Sequence, residues 1–361
     1  MGFQRDEPYN DLPDLPPERM LENQQIFNEL ISAGRALAEL KGMGNTIPNQ
    51  NLLINSLTLE EAKDSSAIEN VVTTHDSLFK AFTAKTGQID SATKEVIHYR
   101  EALWNGFTSL KENSLLTTNS FIKIVQTIKQ NTAGIRNTPG TQIVNETTKE
   151  IIYTPPQGEQ LIRNKLSNLE SYIHDENGMD PLIKLAVIHY QFEAIHPFSD
   201  GNGRTGRIIN ILYLVQQNLL DMPILYLSRY IIQNKNKYYQ LLCNVTEKQE
   251  WVPWILFMLK AIEETANLTR GRIIAIRNLL DEILEKAKEE LPSRVYSKDL
   301  IELLFHQPYC KGQFLVDAGI AKRKTAAEYL KELEKIGLLF SRQVGKEVLY
   351  LNKQLLELLS R

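Results

Sequence analysis

The sequence predicts a mainly α-helical chain, and three observations carry the prediction. Apolar residues recur at helical spacing through most of the first 290 positions. A single stretch of strand character, 134–156, interrupts them. From about Arg294 the texture changes to three short helical segments followed by two strand-like runs. Two to three compact units are expected of 361 residues. We set them at 1–110, an N-terminal helical region; 111–290, a central helical region with the hairpin; and 291–361, a small helix-and-hairpin unit.

The first residues carry Pro8, Pro13, Pro16 and Pro17, an extended segment expected to wrap a surface. Helical periodicity begins near Glu18 and runs to about Lys41, where Gly42 and Gly44 punctuate it. Thr58 followed by Glu61 reads as a capping box opening a helix over 59–70. Further helices are expected over 77–82, 92–111 and 119–130. Pro139-Gly140, with β-prone runs at 141–144 and 151–154, then predicts a β-hairpin. Helices resume at 158–173, 180–195, 203–218 and 230–245, and a long one, 251–290, ends before Pro292.

In the last unit, helices over 297–305, 311–319 and 322–336 precede strands at 338–342 and 348–351, joined at Val344-Gly345-Lys346. That is the order of a winged helix-turn-helix. Residues 294–361 hold twelve Lys/Arg and eight Asp/Glu, a local +4 that leaves -7 for the remainder of a chain of net -3. Lys322, Arg323 and Lys324 open the segment where modules of this order contact phosphates and bases, which makes DNA a candidate partner for 291–361. Glu328, Glu332 and Glu334 lie further along it, so a docking or dimerisation unit is the other reading.

Composition narrows the class. Cys243 and Cys310 are the two cysteines and lie in no metal-like spacing, as expected of a reducing compartment. The N-terminal residues hold no apolar core of a signal peptide, and Asp6 breaks the myristoylation pattern that Gly2 would begin. The apolar run 208–215 is interrupted by Asn210 and too short to span a bilayer. A soluble cytoplasmic protein with no membrane partner is expected.

One segment carries chemistry: His196-Pro197-Phe198-Ser199-Asp200-Gly201-Asn202-Gly203-Arg204-Thr205-Gly206-Arg207, set between two apolar helices. A Gly-rich loop feeding a helix N-terminus aims free N–H groups at an anion. Gly201 and Gly203 let backbone approach it, and Arg204 and Arg207 stand one turn apart to clamp phosphate oxygens. Asp200 is a hard oxygen ligand suited to Mg²⁺ shared with phosphates. His196 stands just ahead of the loop, where a neutral imidazole can accept a proton from a hydroxyl. The segment therefore reads as phosphoryl or nucleotidyl transfer to an alcohol. A lone histidine or Gly-rich turn is usually structural, but nine such positions coincide by chance at a frequency on the order of 10⁻¹¹.

This segment resembles the motif H-x-F-x-D/E-G-N-G-R-x-x-R of the Fic family at every defined position, and the resemblance extends over about 1–290. It implies an all-helical enzyme with one β-hairpin flap that moves AMP from ATP onto a Tyr, Thr or Ser hydroxyl of a target protein. By the same resemblance His196 is the general base and Asp200 holds Mg²⁺. Gly201, Asn202, Gly203, Arg204, Thr205, Gly206 and Arg207 bind the ATP phosphates, with Asn202 positioning the α-phosphate. Ile151, Ile152 and Tyr153 form a strand edge on which an extended target segment pairs, a simple structural hairpin being the alternative. Tyr239, with Tyr238 second, is the candidate beside adenine, and core packing is the rival role for both.

Ser65-Ser66-Ala67-Ile68-Glu69-Asn70 resembles the inhibitory motif Ser/Thr-x-x-x-Glu-Gly/Asn of self-restrained members. Ser65 and Glu69 lie one helical turn apart. The resemblance implies that Glu69 pairs with Arg207 and reaches the ATP site, with Ser65 and Asn70 completing the brake. A transferase of another phosphate-containing group, a de-AMPylase and a nucleotide-sensing DNA-binding regulator remain as alternatives. The oligomeric state stays open, a homodimer being one candidate because members that the chain resembles often dimerise.

Overall fold

The computed structural model describes residues 3–17, 23–44, 50–83, 89–145, 148–176, 178–344 and 347–360. At its centre lie two helices, α7 (Pro181–Ile195) and α8 (Asn202–Gln216), which run from either end of the glycine-rich loop. Nearly every side chain of both is buried, from Leu182 to Ile195 and from Arg204 to Val215. A helix apolar on all sides can only be stable inside a layer of others.

That layer is supplied in chain order. α1 (Gln24–Gly44) packs along the first half of α11 (Trp251–Glu290), and α2 (Gln50–Ile68) packs on α4 (Ser91–Asn113). α3 (His75–Thr83) packs on α4, α5 (Thr118–Lys129) on α8 and α6 (Glu159–His174) on α7; α9 (Ser228–Gln233) meets α2 and α11, and α10 (Lys235–Lys248) meets α11. Between α5 and α6, β1 (Ile143–Val144) and β2 (Ile151–Tyr153) pair antiparallel, the single hairpin expected there. The proline-rich N-terminal segment wraps this region. The Tyr9 N–H donates to Thr154 O at 2.9 Å, Asn168 holds the backbone of Leu15, and Leu12 and Leu15 are buried.

α11 has 40 residues, about 60 Å at 1.5 Å per residue, and carries the last unit on its far half. There α12 (Lys298–Leu303), α13 (Gly312–Asp317) and α14 (Arg323–Lys335) precede the antiparallel pair β4 (Phe340–Val344) and β5 (Glu347–Leu351). This is the predicted order. Two elements escaped the sequence reading: β3 (Tyr309–Cys310), which extends the sheet to the order β3-β5-β4, and α15 (Lys353–Ser360), which packs on α11. The hairpin tip at 345–346 lies outside the described residues, as do 18–22, where the first helix was expected to begin.

Two expectations fail. α2 begins at Gln50, so Thr58 lies inside the helix and no capping box opens there. The local cap signal loses to tertiary packing. Thr58 is buried, its hydroxyl accepts from Arg100 Nε at 3.3 Å, and 57–62 are all buried. The helix that carries Ser65 is therefore 50–68 rather than 58–70, and Glu69 and Asn70 lie just past its end. The helix expected over 230–245 is two helices, broken at Asn234, whose backbone (φ -120°, ψ 29°) leaves the helical region.

α2 is bound by polar groups to an unusual degree. Glu61 accepts from the Ser228 N–H at 2.9 Å and Tyr99 Oη at 3.0 Å, and Tyr226 Oη donates to Asp64 at 2.5 Å. Burial pushes the Glu61 carboxyl up to about 7. Glu60 pairs with His75 of α3, and Asp76 accepts from Tyr309 Oη of β3 at 2.5 Å. The segment that carries Ser65 and Glu69 is thus fixed from several sides.

Candidate active site

His196 is the first residue past α7. Its backbone is left-handed (φ 48°, ψ 60°), and its N–H closes back on Phe192 O. The last carbonyls of α7 have no partner within the helix. Tyr153 Oη donates to Ala194 O at 2.8 Å, and Arg136 donates to the carbonyls of Ile195 and His196 at 3.3 and 2.7 Å. The imidazole is half-buried, with Nδ1 fully enclosed. Burial and the Arg136 guanidinium push its pKa down to about 4, so the ring is neutral at physiological pH.

The loop closes on itself through Asn202. Its buried carboxamide accepts from the Phe198 N–H and donates to Phe198 O, both at 2.8 Å. Asn202 therefore holds the shape of the loop. Gly201 (φ 82°) caps α8 against Val125, a conformation that an L side chain resists. The first N–H groups of α8 face the space beyond Gly203. A Cβ on Gly203 would stand 2.3 Å from Glu69 Oε1, so this glycine makes room for a carboxylate at the helix N-terminus.

Glu69 closes the constellation. Arg207, 1% exposed, donates through Nη2 to Glu69 Oε1 at 2.8 Å and to Ser65 O at 2.9 Å, and through Nε to Ser65 Oγ at 2.8 Å. Burial opposes ionisation of Glu69, but Arg207 and Arg204 hold the carboxyl below its ordinary range. Asn70 follows with φ 62°, a left-handed turn that Gly and Asn tolerate best, which gives the last position of the motif a physical reason. Arg204, also buried, pairs with Glu95 of α4 at 2.8 Å. Asp200 is largely exposed and lies 2.6 Å from Lys129 Nζ. Burial raises its carboxyl, but Lys129 and Arg204 more than offset this and hold it below the usual range.

Other predicted residues lie at the edge. Gly206 faces α7: a Cβ there would stand 2.5 Å from Glu193 Oε1 and 3.1 Å from Phe192 Cδ1. Its lack of a Cβ allows α8 to approach α7 closely. Gly206→Ala is expected to cost about 1–3 kcal/mol of stability by overpacking, read as a lower Tm in thermal melts. Thr205 is fully buried with its hydroxyl unpartnered. Tyr238 is buried and its Oη lies 2.8 Å from His189 Nε2, a core role, whereas Tyr239 is half-buried and packs edge-on against it. Tyr153 of the flap is buried, while Ile151 and Ile152 remain half-buried.

The sequence reading missed Glu95, Lys129, Arg136 and Glu193. Glu193 sits three residues before His196, with Oε1 enclosed and without a hydrogen-bond partner among the described residues, and burial pushes its carboxyl up to about 7. No motif marks these four; only proximity in the fold does. Among the described residues no group of three or more His, Cys, Asp or Glu is placed to hold a metal. No described helix is long and apolar enough to cross a membrane.

Three family models match the chain: Fic/DOC family N-terminal over 27–108, Fic/DOC family over 115–214, and the C-terminal domain of protein adenylyltransferase SoFic-like over 279–355. A probable protein adenylyltransferase of Aquifex aeolicus is 34% identical over 79 residues, which are 22% of this chain and 24% of that protein. Protein adenylyltransferase fic-1 of Caenorhabditis elegans is 25% identical over 138 residues, 38% of this chain and 25% of its own length. The chain thus spans about a quarter of the length of these curated relatives. A Fic family protein from Desulfovibrio desulfuricans G20 superposes with a TM-score of 0.59 at 17% identity, covering 93% of this chain and 98% of that one. A fragment of Fic-1 from C. elegans gives 0.52 at 19% identity, covering 70% and 74%.

Proposed function

The chain belongs to the Fic/DOC family, and from that premise we propose that it is a protein adenylyltransferase held off by Glu69. The observation that carries the reading is the pairing of Glu69 with Arg207 over Gly203, beside a neutral, half-buried His196. ATP is the substrate, its phosphates seated on the first turn of α8 and on Arg204 and Arg207. The hydroxyl oxygen of a target Tyr, Thr or Ser attacks the α-phosphorus. The bond to the bridging oxygen of the β-phosphate breaks, and pyrophosphate leaves. His196 takes the hydroxyl proton at Nε2, since Nδ1 is enclosed. The target backbone pairs along β2 at Ile151 and Ile152, and Tyr239 borders the adenine.

Mg²⁺ fits Asp200, an exposed carboxylate beside the anion seat with no further carboxylate or imidazole cage, because this ion keeps waters and shares phosphate oxygens. When bound it would neutralise phosphate charge. Lys129 and Arg204 keep Asp200 ionised.

Incubation with Mg²⁺ and ATP labelled at the α-phosphate, alone and with cell lysate, tests the reading. Protein-bound α-label is expected. Transfer of γ-label instead would make the enzyme a kinase, and silence from both labels would remove transferase activity. A second reading, a nucleotide-sensing DNA-binding regulator, is favoured by the exposed Lys322, Arg323 and Lys324 at the start of α14, the winged-helix recognition position. On that reading the full chain binds duplex DNA with an affinity that falls steeply with salt, and His196→Ala leaves binding intact. No duplex binding at low salt removes it.

A further inference from the structure

We propose that Arg136 is the positioning residue of this site, locking the backbone of His196 and tying it to the base of the hairpin flap. The inference rests on the reading of His196 as the base. Arg136 belongs to the loop between α5 and β1 and is 6% exposed. Its Nε donates to His196 O at 2.7 Å, and its Nη2 donates to Pro156 O at 2.6 Å and Ile195 O at 3.3 Å. Its own N–H donates to Pro197 O at 2.9 Å. One planar guanidinium thus gathers three carbonyls from two segments, and its backbone holds a fourth.

The place of these bonds matters more than their number. A non-glycine residue at φ 48° costs on the order of 1 kcal/mol or more and persists only where its surroundings over-determine it. Arg136 supplies that determination on both sides of His196, through the carbonyls of residues 195, 196 and 197. A cation at the C-terminus of α7 also suits the helix dipole. Pro156 follows β2 by three residues, so the same guanidinium fixes where the flap strand leaves the core relative to the imidazole. Tyr153 Oη on Ala194 O is the parallel tie from the strand itself. A target paired on β2 therefore has its hydroxyl height set against His196 through Arg136.

The charge has a second consequence. Among the charged groups that act on the imidazole, Arg136 disfavours its protonated form, and Glu69 and Asp200 favour it. Removing the Arg136 charge shifts the His196 titration upward. It then leaves the ring protonated, and unable to accept a proton, to higher pH.

The test uses full-length chains in the Glu69→Gly background, with Arg136→Met, Arg136→Lys and His196→Ala. Three readouts are taken: α-label transfer across pH, ATP affinity by calorimetry, and the His196 imidazole titration by NMR of histidine-labelled protein. Arg136→Met is expected to slow transfer roughly 100-fold with ATP affinity within about threefold, the size of a misplaced reacting group. Its acid limb and NMR titration both move to higher pH. Arg136→Lys keeps the charge but loses the fork; it is expected to slow transfer while leaving the titration in place. Added guanidinium is expected to recover part of the Met variant's rate. Transfer and titration unchanged in Arg136→Met overturn the inference. A loss of rate that follows only a lowered Tm, with the titration unmoved, also overturns it. Failure of the parent reading is read separately: transfer that survives His196→Ala removes His196 as base, whatever Arg136 does.

Discussion

The Glu69→Gly chain is expected to transfer AMP roughly 10- to 100-fold faster than the parent, the coupling that follows when one charged contact separates an off state from an on state. The contact is specific in place. Glu69 Oε1 lies 2.8 Å from Arg207 Nη2 and fills the space over Gly203, where the free N–H groups of α8 point. A carboxylate there uses the attraction for anions that would otherwise seat a phosphate, and it uses the arginine that would hold that phosphate's charge. Glycine at 69 removes both obstacles at little structural cost. The position lies just beyond α2, so helix propensity is not at stake, and Arg207 keeps Ser65 Oγ and Ser65 O as partners. Glu69→Gln keeps the shape and loses the charge, and falls between the two. The rate is measured as α-label incorporated per unit time, with ATP affinity determined in parallel. An unchanged rate in Glu69→Gly would sink the brake.

The dense hold on α2 says why such a brake is stable. Glu60, Glu61 and Asp64 are buried on the inner face of the helix and each meets a hydroxyl or a cation from another element. Ser65 and Glu69 are then delivered to Arg207 by a rigid segment, not by a loop. If Glu69 is the brake, release would need either a change in Glu69 itself or a displacement of α2 against this network.

Much of this was legible in the sequence, for physical reasons. The helices with strong apolar period and clear termini, such as α11, appear where expected, because a long pattern outweighs any local exception. The loop was legible because anion binding at a helix N-terminus demands particular residue types at fixed spacing. The failures have causes too. Thr58 and Glu61 imitate a cap, yet burial of Glu61 against Ser228 decides their role, and Ser228 lies far away in sequence. β3 is two residues long and exists only because β5 offers an edge. Arg136 carries no local signal, since its partners are backbone carbonyls, which every residue has. Gly206 stands at an undefined position of the motif, and its packing against Phe192 and Glu193 is visible only in three dimensions.

His196→Ala in the Glu69→Gly chain is expected to lower AMP transfer by about 10² to 10⁴, the usual worth of a positioned general base, while ATP affinity stays within a few-fold. The split follows from geometry. On the proposed reading the phosphates would sit on α8, Arg204 and Arg207, whereas His196 belongs to the end of α7 and would meet the incoming hydroxyl. The pH dependence gives the claim its sharper edge. A free imidazole is half protonated near 6.5, so an exposed base would lose activity just below neutrality. Burial and Arg136 push His196 down to about 4, and Glu69, which raises it, is gone in this background. The sign is therefore fixed: transfer stays level as pH falls through 6.5 and declines only as it approaches about 4. A limb centred near 6.5 would mean that the ring is solvated during turnover or that another group accepts the proton, and retention of full activity in His196→Ala would select the latter.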